Sequence, residues 1–149
     1  MNKKMEIQKA LTAAMKSKDE DTKRTLRLVL SSIKLAEVDA GKPIDDDKIL
    51  GILQKEIKTR DDAIGEAKTA NRADLIQKAQ TEKEILIRFL PEQLATDQLQ
   101  TLAEKIIEET NAKGMADMGR VMKILMPKLQ GRATGQVASK IVREILQNI

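Results

Sequence analysis

Two glycines, Gly114 and Gly119, stand five positions apart in "GMADMGRV", the separation found in a loop that wraps a nucleotide's phosphates. Such a loop needs a lysine and then a serine or threonine after the second glycine, with a strand before the first. Here Arg120 and Val121 follow, and the stretch reads as a helix start. Carboxylates gather at Asp19 to Asp21, at Asp45 to Asp47, and at Asp61 with Asp62. The chain has no histidine and no cysteine, which removes the usual general base near neutral pH, the thiolate nucleophile and the commonest metal ligands. Acids at helix starts and on paired helix faces are expected for structural reasons. No catalytic residue, metal site or cofactor is therefore assigned.

The basic residues carry more information. Residues 1–110 hold 20 basic and 21 acidic side chains, whereas Asn111 to Ile149 holds seven basic against Asp117 and Glu144. The formal charge of +4 thus originates in the C-terminal quarter, basic from about residue 113 onward. "KGMADMGRVMKILMPKLQGRATGQ" is its centre. A helical projection places Met118, Val121, Met122, Leu125 and Leu129 on one side, with Arg120, Lys123 and Pro127 opposite. In the helix that follows, Val137, Ile141 and Ile145 project inward, and Gln136, Lys140, Arg143 and Gln147 outward. Two basic helix faces are then joined by a loop from Lys128 to Gly135 that carries Arg132.

Such a surface suits phosphates, and Gly119, Gly131 and Gly135 would let a polyanion backbone come close, while Pro127 ends or kinks its helix. The candidate RNA-binding residues are Arg120, Lys123, Lys128, Arg132, Lys140 and Arg143. Phe89 is the single aromatic residue and sits in an apolar pattern. Backbone and shape recognition of a structured RNA fits this better than base stacking. The methionines at 115, 118, 122 and 126 follow helical spacing; an irregular core is their commoner use, a protein-docking surface the rarer one.

The elements that position these residues are helices. Aliphatic stripes recur at helical spacing: Ile7, Leu11, Ala14 and Met15; Leu26, Val29, Leu30 and Ile33; Leu50, Leu53, Ile57 and Ile64; Leu75, Ala79, Leu86 and Phe89. Gly41 and Pro43 break the second from the third, and Asn71 marks a helical hairpin, since asparagine tolerates left-handed backbone. Glu56 with Arg60, and Lys58 with Asp62, are spaced to pair on the third helix. Pro91 in "FLPEQL" ends the fourth. Beyond it Thr96 caps a fifth helix, a sixth starts near Met115, and a seventh runs from about Thr134. No segment alternates at period two, so the fold class is all-α: an N-terminal multi-helix domain over 1–90 and a C-terminal three-helix domain over 91–149. The charged first turn of "MNKKMEIQK" suits neither a signal peptide nor a membrane span, so a cytoplasmic protein without membrane attachment is expected.

The segments "TLRLVLSSIKLAEVDAG", "ILQKEIKTRDDAI", "FLPEQL" and "DMGRVMKILMPKLQGRATG", with their spacing, resemble the YqeY family across essentially the whole chain. The C-terminal part is similar to the tail domain of the B subunit of the glutamine-dependent aspartyl/glutamyl-tRNA amidotransferase. The resemblance implies that this tail grips tRNA, with Gly119, Lys123, Pro127, Lys128, Gly131, Arg132 and Gly135 matching the family pattern and Arg120 a basic equivalent. Thr134 stands where an acid is common, and Asn71 where glycine is. The resemblance also carries a carbon–nitrogen ligase label with glutamine as amide donor, but the catalytic cradle domain of the amidotransferase has no counterpart here. The expected role is a tRNA-binding or amidotransferase-associated accessory protein, not catalytic by itself. A tRNA amidotransferase or synthetase is the expected protein partner. The rival roles are a ligase component acting with a separate catalytic subunit, and a protein-interaction module.

Overall fold

The computed structural model describes residues 2–149. Among them seven α-helices and one 3-10 turn account for the regular structure, with no strand: α1 (Lys3–Ser17), α2 (Glu20–Ala40), α3 (Asp46–Thr69), α4 (Ala73–Ile87), α5 (Thr96–Glu109), the turn Met115–Asp117, α6 (Met118–Leu129) and α7 (Gly135–Gln147). The all-α reading holds. The chain divides into two compact units, one ending at Leu90 and one spanning Pro91–Ile149, each with its own aliphatic core.

The first unit is organised by local rules. Asn2, Asp19 and Asp45 each accept a backbone N–H from the first turn of the helix that follows, which settles what two of the carboxylate clusters do. The hydroxyl and backbone N–H of Thr22 hold the Asp19 carboxyl below the usual carboxylate range. Left-handed residues end the helices: Lys18, Gly41 and Asn71 have φ of 59°, 70° and 54°. At Asn71 the N–H of Arg72 reaches back to the carbonyl of Ala67 at 2.9 Å, closing the α3–α4 hairpin. Leu26, Val29, Ile33, Leu53 and Leu86 are fully buried, each worth about 1.5–3 kcal/mol in transfer from water. Two stripe positions go the other way, because Met15 and Leu75 lie half-exposed on the flanks of their helices.

Between α3 and α4 the unit buries charge. Arg60 pairs with Glu56 as its spacing predicts, but it also reaches Glu82 of α4 at 3.5 Å, and both Arg60 and Glu82 are buried. Beside them Lys83 and Asp61 pair at 2.6 Å with side chains about as well covered. Lys58 and Asp62 pair at 3.3 Å on the open surface.

In the second unit Leu99, Ala103 and Ile106 of α5, Val121, Leu125 and Leu129 of α6, and Ala138, Val142 and Leu146 of α7 form the core. Met118, Met122 and Met126 are half-buried against it, whereas Met115 is exposed and outside the stripe. Thr96 is not a cap: Ala95 holds that position, and the Gln98 side chain accepts the Ala95 N–H at 3.1 Å, so the threonine becomes the first helical residue.

Candidate nucleic-acid interface

The candidate interface is built on α6, α7 and the turn between them. Gly114, in extended backbone, leads into the 3-10 turn. Asp117 then accepts the Lys113 N–H at 2.8 Å and the Arg120 guanidinium at 3.0 Å. The backbone bond from Lys113 is the larger cause holding the Asp117 carboxyl below its ordinary range, with Arg120 adding to it. Gly114 to Arg120 is therefore a helix entry stabilised by one carboxylate, not a phosphate loop.

Pro127 neither ends α6 nor stands alone as its breaker. The helix runs to Leu129, and it ends where Gln130 and Gly131 adopt φ of 50° and 79°. Proline is tolerated there because the bond it removes would go to the Lys123 carbonyl on the exposed side of the helix. Gln130 is a poor residue for its backbone, since left-handed geometry crowds a Cβ. Gln130→Gly is expected to raise stability by about 1 kcal/mol, read as a higher urea midpoint with unchanged slope.

The turn is tied down from outside. Arg132 donates its Nε to the carbonyl of Glu92 at 3.2 Å and its carbonyl accepts the Leu94 N–H at 2.8 Å, while the Gln93 amide donates to the Gly131 carbonyl at 2.9 Å. Gly131 is buried under this strap, so it does not open the backbone to a polyanion as expected; its left-handed φ is what requires glycine. Gly119 and Gly135 do lie open, with nothing within 4 Å of where a Cβ would stand. Thr134 caps α7 by accepting the Val137 N–H at 3.3 Å, and no acid occupies the first turn, so its amino end can receive an anion.

All six candidate cations are exposed. Arg120 and Lys123 stand one turn apart on the outer face of α6, and Lys140 and Arg143 one turn apart on that of α7. Lys128 falls about 140° around α6 from Lys123 by the helical step, on the flank and not on the same face. Among the described residues only Arg120 of the six has an ion pair within the protein. The inward stripe of α7 needs correction: Val137 is exposed, and the buried face runs through Ala138, Ile141, Val142 and Leu146. The 137–141–145 row lies on one flank of that face, which composition alone could not distinguish from its centre.

Sequence reasoning missed the strap, because Glu92 to Leu94 is forty residues from the turn it fixes. It also missed a segregation of charge. Pro91 to Ile149 contains eight basic and seven acidic residues, so the surplus after Asn111 is balanced within the same unit, largely by the acids of α5. α5 contributes Asp97, Glu104, Glu108 and Glu109 against Lys105; six of the eight cations lie on α6, α7 and their turn.

Helices, an aliphatic core in each unit, and an exposed basic corner made by two short helices define an all-α protein among the described residues. The chain belongs to the Yqey-like protein family, which matches residues 4–146. It is 30% identical over 144 residues to the altered inheritance of mitochondria protein 41, mitochondrial, of Pyrenophora tritici-repentis, covering 94% of this chain and 78% of that one. An uncharacterized protein of Schizosaccharomyces pombe is 39% identical over 87 residues, 58% of this chain and 70% of that one. The protein 41 of Saccharomyces cerevisiae is 34% identical over 108 residues, 72% of this chain and 55% of its own. The mitochondrial name of the Pyrenophora and Saccharomyces relatives overturns the cytoplasmic expectation. A charged first turn argues only against export and membrane insertion; an organelle address is read by receptors and leaves no trace in a helical core pattern. No helix among the described residues is long and apolar enough to cross a membrane.

Proposed function

We propose that this chain binds a structured RNA of the tRNA class as an accessory to the enzymes that charge or amidate tRNA, with residues 91–149 as the gripping tail domain. The observation that carries the reading is the basic corner of α6 and α7: six exposed cations, five without an ion pair among the described residues, next to the open amino end of α7. Free cations of this kind release counterions when they meet phosphates, which supplies affinity without base contacts. Phe89 is half-buried against the core of the first unit, so recognition rests on backbone and shape.

The test is a mobility-shift titration with bulk tRNA at two salt concentrations. Lys123→Glu with Lys128→Glu is expected to weaken binding at least about tenfold at low salt. It should also flatten the slope of log affinity against log salt by about 0.7–0.9 unit for each phosphate that the variant no longer neutralises. Absence of binding at low salt, or a titration unchanged by the two reversals, overturns the proposal.

A further inference from the structure

The opposite side of α7 carries a different surface. Two adjoining cavities of about 370 and 330 Å³ run between α5 and α7 and share Glu104, Ile145 and Ile149. Their floor is isoleucine: Ile141, Ile145 and Ile149 follow one another at four-residue steps on and just past α7, and Ile107 joins from α5. Ile149 is 63% exposed, an apolar side chain left in water at the groove's end. The rim is acidic, with Glu104 and Glu108 one turn apart on α5 and Glu144 on α7, all exposed. None of the three carboxylates is in an ion pair with a described residue; Glu104 accepts only the Gln100 amide, at 3.1 Å. Among the described residues Lys113 is the single cation in the lining, at the end farthest from Gln100.

We infer that this groove docks a basic amphipathic helix of a partner protein. Polyanions are repelled by the glutamates, and an apolar floor between acidic rims matches a helix whose leucine-like face is flanked by lysines or arginines. The lining on α5 extends from Gln100 to Glu108, about 12 Å at the helical rise, which takes about two turns of a docked helix. A second copy related by a two-fold axis would set glutamate rows against each other, which disfavours self-association through this face. Arg143 points nearly opposite to the groove around α7, so a bound helix leaves the basic corner free.

The probe is a dye-labelled fourteen-residue peptide of leucine and lysine with its leucines at helical spacing, titrated by anisotropy into the whole chain. A micromolar dissociation constant is expected, weakened about tenfold or more by Glu104→Lys with Glu108→Lys, and also by Ile149→Ser, whose exposed position does not threaten the fold. Lys123→Glu with Lys128→Glu should leave the peptide's affinity intact, which separates this site from RNA binding. Equal affinity for a scrambled peptide of the same composition overturns the inference, as does indifference to both groove variants. Sedimentation that finds a groove-dependent dimer in place of peptide binding overturns it too.

Discussion

Leu125→Ala is expected to destabilise the protein by about 2–5 kcal/mol and to strip the helical signal from the Pro91–Ile149 unit. Leu125 has no solvent exposure and sits among Leu99, Ala103, Val121 and Val142 in the core that α5, α6 and α7 share. Removing three carbons there loses their transfer energy and leaves a cavity that three anchored helices cannot collapse around. The unit has few aliphatic layers to spare, since at about 0.05–0.15 kcal/mol per residue a unit of this size holds only about 3–9 kcal/mol in all. Amide spectra of the variant in the absence of denaturant check this. Leu125→Met, which keeps volume, is the control and should cost less than about 1.5 kcal/mol. Native-like spectra for the alanine variant, with an unchanged urea midpoint, would refute the packing argument.

Arg60→Ala is expected to cost about 3–5 kcal/mol, a large effect for a charged residue on a helix. The guanidinium reaches Glu56 on its own helix and Glu82 across the α3–α4 hairpin, and the Arg60 and Glu82 side chains are only 9% and 11% exposed. Without Arg60, Glu82 keeps Arg24 at 3.9 Å as its remaining ionic partner and stays out of water. Replacing both members, Arg60→Met with Glu82→Leu, removes the buried charges and fills their space. That double variant is expected to recover most of the loss or exceed the native stability, because desolvation of the pair offsets much of its attraction. Urea unfolding of both singles and the double measures the coupling directly. A double variant as unstable as the sum of its singles would mean that the two charges are not coupled, which refutes the argument.

These two residues also mark where the sequence was and was not legible. The stripe containing Leu125 could be read from periodicity, because a short helix with one apolar side has only one way to bury it. Arg60 could be read only as half of a pair with Glu56, four residues away on the same helix. Nothing within its own helix announces Glu82, since the contact depends on which faces of α3 and α4 meet once Asn71 turns the chain.

The basic corner divides in the same way. The type and order of its residues, and hence its helices, charge and exposure, follow from the sequence. Local hydrogen bonding and helical periodicity act over a few residues, and the amino acids encode them directly. The caps at Asp19, Asp45 and Thr134 and the left-handed end at Asn71 belong to that same short range. Tertiary structure alone decided that Val137 faces outward and that Gly131 is sealed under the Glu92–Leu94 strap. It also set the acids of α5 apart from the cations of α6 and α7, leaving an isoleucine groove between glutamates. Each of these depends on the rotation of one helix against another or on a bond between segments forty residues apart, and side-chain packing in three dimensions fixes both.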